Sequence, residues 1–146
     1  MNYLKTVYFL LLTLLSYSSV YSKIKVLLLD GQNNHNWKAT TPVLVDALES
    51  SGNFLVSVST SPAKNSTPSD WEKWNPNFSS YDVTLSNYNG EMWPKELQDN
   101  LINDVKGGGS FVVVHAANNA FGQWKEYNQM IGPVSYTHLT LPTILL

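Results

Sequence analysis

The chain has 146 residues, 43% of them hydrophobic and 14% charged, the composition of one ordinary folded domain at most rather than of a fibrous or wholly disordered chain. Its formal net charge is -2 and its nine cationic residues are all lysines, scattered along the sequence; a nucleic-acid binder needs cations clustered on one face, so that class is set aside. The absence of cysteine excludes disulfides, a lipid-modified cysteine and any thiol nucleophile.

Lys5 precedes an apolar run from Val7 to Leu15, and the chain then turns polar from Ser16 to Ser22. With Val20 and Ser22 as the small residues ahead of a cut before Lys23, residues 1–22 read as a secretory signal peptide. Their apolar core is short for a bilayer span, and an uncleaved anchor is the alternative. The mature protein is expected to be exported, periplasmic or extracellular, with no stable membrane span after cleavage; nothing in the sequence sets its oligomeric state.

Lys23 to Asp30 is the first predicted strand, and its core KVLLL empties into Asp30, Gly31, Gln32, Asn33, Asn34 and His35. Thr41-Pro42 then gives an N-cap followed by proline at the first helical position. Val43, Leu44, Ala47 and Leu48 supply the apolar face until Ser50, Ser51 and Gly52 stop the helix. Phe54 to Val58 is the second strand, which makes a βαβ unit with an expected right-handed crossover. From Ser59 to Ser80 the chain is rich in Ser, Pro, Asn and Thr, but Trp71, Trp74 and Phe78 recur at helical spacing. A short helix or ordered loop packed on the body accounts for them, and an overhanging sugar-stacking platform is the alternative. The N-x-S/T matches at Asn65 and Asn77 carry meaning only in a host that glycosylates exported proteins.

Tyr81 to Ser86 is the third strand. Trp93-Pro94 opens a helix with Leu97, Leu101, Ile102 and Val105 as its stripe, closed by Gly107 to Gly109. Phe111 to Val114 is the fourth strand and runs straight into His115, Asn118 and Asn119. Asn119 is a fair N-cap for a helix over Ala120 to Ile131. Strands alternating with helices in this way predict an α/β fold with an open, doubly wound, mostly parallel sheet. The pattern breaks after Gly132: PVSYTHLTLPTILL has neither a glycine-bounded strand nor a capped helix. Val134 to Leu146 resembles the translated read-through of a sequencing adapter and is expected to be foreign, His138 included. The expected organisation is therefore a signal peptide at 1–22, a domain portion at 23–132 and a non-native tail at 133–146, with the natural protein longer than this sequence.

Two apolar strands that each end in a histidine-bearing loop are the main functional clue. If the strands are parallel neighbours, both loops open on one edge of the sheet and His35 and His115 face one pocket, as catalytic or ligand-binding residues. Two imidazoles could also hold a divalent metal. A catalytic zinc ordinarily takes three protein ligands, so Asp30 or a residue further along the chain would have to be the third. No cofactor is identified, a divalent metal is possible, and the metal ligands stay undetermined. Asp30, Asn34, Trp37, Asn118, Asn119 and Trp124 are the candidate substrate-binding residues. Asn119 has helix capping as its competing role, while Asp30 has loop organisation and Trp124 packing. The glycines match neither GxGxxG nor GxxxxGK[ST], which argues against a nucleotide.

The strings DGQNNHNW, YDVTLSNYNG and VKGGGSFVVVHAANNAFGQWKEYNQMIG are similar to the ThuA-like (trehalose-utilisation) family, over Lys23 to Gly132. The resemblance implies a flavodoxin-like sheet of the class I glutamine amidotransferase type, and a role in carbohydrate use with a glycoside or oxidised sugar as the small-molecule partner. A non-catalytic sugar-binding or interaction module on the same scaffold is the other reading. Amidotransferases place a cysteine on a tight strand-to-helix turn; here that turn is His115-Ala116-Ala117. Glutamine hydrolysis through a thioester is thereby excluded, and if the chain is an enzyme the resemblance points to a carbohydrate-active hydrolase or lyase.

Overall fold

The computed structural model describes residues 22–132. Residues 1–21 of the expected signal peptide, the expected tail from residue 133 and His138 lie outside the described residues. Strands β1 (Ile24–Asp30), β2 (Phe54–Thr60), β3 (Val83–Ser86) and β4 (Ser110–Val113) form one sheet in the order β2-β1-β3-β4, and every neighbouring pair is parallel. Four helices accompany them: α1 (Trp37–Glu49), α2 (Pro68–Lys73), α3 (Lys95–Lys106) and α4 (Lys125–Ile131). Among the described residues no helix is long and apolar enough to cross a membrane.

The unbroken apolar run of β1 is explained by its place in the sheet. It pairs on both sides and is covered on both faces, so Val26 to Leu29 are all buried. Side chains alternate along a strand. Val26 and Leu28, with Leu85 of β3, meet Leu44, Val45 and Leu48 of α1 on one face. Leu27 and Leu29 point the other way, into a cluster with Leu97 and Leu101 of α3 and Tyr127 of α4. Helices on both faces of a parallel sheet are what the doubly wound prediction requires, and that fold class holds. The second cluster is largely aromatic: the rings of Trp74, Tyr88, Trp93, Phe121, Trp124 and Tyr127 sit with centroids 4.9 to 6.4 Å apart, the range of favourable stacked and edge-on contacts.

The polar segment from Ser59 to Ser80 contains α2, whose start carries a reciprocal capping box. The Asp70 backbone N–H donates to the Thr67 hydroxyl, and the Thr67 backbone N–H donates to the Asp70 carboxylate. The Thr67 hydroxyl, at 2.7 Å, and then the Thr67 backbone N–H both donate to the Asp70 carboxylate and hold it below the usual carboxylate range. Trp71 and Trp74 pack against the aromatic cluster and Phe78 is part of it, while the Trp74 indole N–H donates to the Ser59 hydroxyl at 2.9 Å. The three aromatics therefore lie on the body rather than overhanging it as a sugar platform.

Two helix starts differ from the prediction. Helix α1 begins at Trp37, with Pro42 inside it, instead of after a cap at Thr41. The Thr41 hydroxyl is buried and accepts from the Asn87 side-chain amide at 3.3 Å, so a tertiary partner takes the oxygen that would have capped the helix. The last helix begins at Lys125 rather than Ala120, because residues His115–Asn119 form a 3-10 turn first. The Asn119 side chain accepts from Asn89 at 3.0 Å and makes no cap. The Asn128 amide instead bridges the carbonyls of Phe121 and Trp124, at 3.0 and 2.8 Å.

Candidate functional site

In the order β2-β1-β3-β4 the chain winds outward in both directions from the gap between β1 and β3. Such a switch point leaves a crevice at the carboxyl ends of the strands, where open α/β sheets hold ligands. The connections after all four strands leave from this edge, and the loop after β1, the loop after β3 and the 3-10 turn after β4 carry the candidate residues.

The loops are braced to one another by amides. The Asn33 side chain donates to the Asn87 carbonyl at 2.9 Å and accepts from the His35 backbone N–H at 2.8 Å, which ties the histidine loop to the end of β3. Asn87 donates in turn to the hydroxyls of Thr40 and Thr41 on α1, at 3.1 and 3.3 Å. Asn89 donates to the Ala116 carbonyl at 2.8 Å and, from its backbone, to the Gln32 carbonyl at 2.9 Å. Gly31 makes the exit from β1 possible: its φ is +113°, and a Cβ there would collide with the backbone N and O of Ser61, at 2.6 and 2.7 Å.

Held by these braces, the two histidines meet. His35 Nε2 and His115 Nε2 are 3.1 Å apart, their ring centroids are 4.8 Å apart and their planes are inclined by 36°. Both rings are exposed at the edge. His115 has φ +46°, a left-handed conformation at the strand-to-turn elbow, which is costly for a residue with a side chain. The elbow is fixed from below: the Val114 N–H donates to the Ser86 carbonyl at 2.9 Å, and the Tyr127 hydroxyl donates to the Ala117 carbonyl at 2.6 Å. Burial pushes the phenols of Tyr127 and Tyr88 well above the ordinary tyrosine range. The histidines border a cavity of about 410 Å³, together with Asn33, Thr40, Val43, Leu44, Asn87, Val114 and Ala116.

Of the eight candidate residues read from the sequence, His35 and His115 are the two that border this cavity. Asp30 ends β1 with 1% exposure, and its Oδ1 is buried without a protein partner. Among the described residues no three of His, Asp or Glu lie close enough to hold a metal ion, so Asp30 does not join the pair as a third ligand. Asn34 is exposed on the loop beside His35, outside the cavity lining. Trp37 opens α1 with the Lys38 ammonium 5.5 Å from its ring centroid. Asn118 is half-buried in the 3-10 turn, and Asn119 is engaged by Asn89. Trp124 is 4% exposed and belongs to the aromatic core, so it does not turn toward the cavity. Asn33, Thr40 and Asn87 were missing from the sequence-based set. Their role depends on which loops the strand order brings together, and the only sequence signal for it was the density of asparagine after β1 and β3.

A larger cleft of about 910 Å³ opens at the opposite end of the sheet, between residues 75–82 and the end of α3, and neither histidine borders it. Asp104 lies there, and burial raises its carboxyl above the usual range.

No protein-family model matches the chain, and no curated protein does. Among solved structures, the chain is similar to a protein from Parabacteroides merdae ATCC 43184 described as ThuA-like: 40% identity, TM-score 0.70, over 74% of this chain and 38% of that one. The chain thus spans well under half the length of the structure it matches. Forty per cent identity over a shared doubly wound sheet supports the ThuA-like family for this chain.

Proposed function

We propose that the chain is part of an exported ThuA-like protein of carbohydrate metabolism that acts on a glycoside or an oxidised sugar through polar chemistry at His35 and His115. One observation carries the proposal: two histidines 80 positions apart in sequence come within 3.1 Å at the carboxyl edge of the sheet, beside a cavity. The surrounding chemistry suits a sugar. Asn33, Asn87 and Thr40 offer amide and hydroxyl groups to hydroxyls, and Val43, Leu44 and Val114 offer apolar surface to the C–H faces of a ring. Imidazoles at such a site can accept a proton from a sugar hydroxyl or return one to a leaving group. With alanines following His115 and no cysteine in the chain, glutamine hydrolysis plays no part.

A second reading, a sugar-binding module without turnover, is favoured by one feature: among the described residues no carboxylate borders the cavity. Both readings are decided by the same experiment. The full chain is assayed for turnover and binding against a panel of glycosides and oxidised sugars, alongside His35→Ala and His115→Ala variants checked for wild-type thermal unfolding. Loss of turnover in both variants is the expected result. Binding without turnover establishes the module, and unchanged activity in both variants overturns the assignment of the histidines.

A further inference from the structure

His35 and His115 touch through one nitrogen each, Nε2 to Nε2 at 3.1 Å, which is hydrogen-bonding distance. A neutral imidazole has one N–H and one lone pair, so two neutral rings can share this contact only if one Nε2 carries a proton and the other does not. The ring that donates at Nε2 then has a bare Nδ1, and the ring that accepts at Nε2 carries its proton on Nδ1. The contact therefore puts the two rings in opposite tautomers. Among the described residues neither Nδ1 has a protein partner, so the pair offers a lone pair at one outer end and an N–H at the other.

A second observation concerns charge. Apart from the two imidazoles, the cavity is bordered by amides, a hydroxyl and aliphatic groups, with neither a carboxylate nor a lysine among them. A histidine that took up a proton there by itself would become an imidazolium without a counter-charge beside it, at a growing penalty once substrate displaced water.

From these two observations we propose that His35 and His115 act as one proton relay, which conducts a proton between a substrate in the cavity and bulk water and leaves neither ring charged. The relay rests on the sugar reading of this cavity and adds to it how the two rings divide the work. Its steps balance. The bare Nδ1 of one ring accepts the proton of a sugar hydroxyl, whose bonding electron pair stays on the oxygen. That ring's Nε2 proton crosses the 3.1 Å contact to the neighbouring Nε2, and the second ring releases its Nδ1 proton to water. One proton enters and one leaves, with the tautomers exchanged and the hydrogen bond reversed. Run backwards, the same chain returns a proton from water to a leaving group. Both rings are exposed at the sheet edge, so water reaches the outer end. The contact is also held from both sides: the braced left-handed elbow sets His115, and Asn33 ties the His35 loop to the end of β3.

The pairing is tested without substrate. The full chain is labelled with nitrogen-15 at its histidines and read by NMR at mildly alkaline pH. His35→Ala and His115→Asn assign the rings; asparagine tolerates the left-handed conformation at 115 better than most residues. The expected result is a scalar coupling between the two Nε2 atoms across the shared proton, and its absence overturns the pair. Turnover of whichever sugar the panel supplies then tests the relay, with both variants checked for the parent's thermal unfolding. Either substitution breaks the chain, so each single variant and the double variant should lose turnover to the same extent, about 100-fold or more. Losses that multiply in the double variant overturn the relay; should a variant be unfolded, the coupling in the parent decides. A coupled pair in a protein that turns over no sugar overturns the proposed function and the relay with it, and leaves the pairing standing.

Discussion

At His115 the backbone lies at φ +46°, where an L-residue with a Cβ is strained by about 1 to 2 kcal/mol. Its side chain is exposed, and its recorded ring contact is with His35, so little packing offsets that strain. His115→Gly should therefore keep or raise stability, by up to about 1 kcal/mol after glycine's larger unfolded-state entropy is counted. A urea unfolding midpoint at or above that of the parent is expected; a clear drop would show that the imidazole is held for packing. The variant would lose the paired imidazoles while the fold gains, the signature of a residue kept for chemistry rather than for stability. The two histidines were legible in the sequence because each stands in the polar segment into which an apolar strand empties. Asn33 and Asn87 were not, since an asparagine becomes a brace only when the strand order sets its partner opposite. Trp124 was misjudged for a different reason: in a cluster of six aromatics the volume of an indole is worth more inside than at an edge.

Helix α4 carries the elbow. Tyr127 on α4 is fully buried, and its hydroxyl is the recorded partner of the Ala117 carbonyl just past His115. Burial keeps the phenol neutral in the folded state, so its folded pKa is raised above the unfolded value of about 10. The linkage has one sign. The stability this phenol contributes is fully present below about pH 10 and is lost as pH rises above it, at up to about 1.4 kcal/mol per pH unit for each such tyrosine. Tyr88 behaves alike, through burial first and the Glu91 charge second. Chemical denaturation followed from neutral to alkaline pH should show stability falling above about pH 10. Tyr127→Phe should fall less steeply there, yet start about 1 kcal/mol lower at neutral pH because the Ala117 carbonyl loses its donor. Identical slopes in the two proteins would show that Tyr127 ionises as freely folded as unfolded. Strand positions and the α3 stripe were readable from periodicity, but the starts of α1 and α4 were not. In both cases the predicted cap, Thr41 or Asn119, is occupied by an asparagine from the loop after β3, a partner that local sequence does not reveal.

Across the whole molecule, the winding that creates the site also leaves apolar surface at both edges of the sheet. β2 and β4 are the edge strands among the described residues. Each presents unpaired backbone groups and exposed aliphatic side chains: Leu55 at 53% and Val58 at 46% on β2, Val112 at 47% on β4. By register Val112 lies beside Leu85, and Leu28 beside Val58, so Val58 and Val112 share the face that α1 covers over β1. Val43 of α1, 65% exposed, extends this apolar area toward the cavity. Long exposed aliphatic edges pair with other chains unless they are charged, bulged or covered, and no lysine or proline interrupts β2 or β4. The 146-residue chain should therefore self-associate when expressed by itself. Val112→Lys combined with Leu55→Lys, each placing a charge on an outward-facing edge position, should shift it toward a monomer without loss of cooperative unfolding. Light scattering coupled to size exclusion distinguishes the outcomes: a monodisperse parent protein would show that these edges are already protected, and an unchanged aggregate in the double variant would place the association elsewhere. The ThuA-like structure that this chain matches over 38% of its length supplies a direct control, since in the longer protein the same edge positions can be compared for burial.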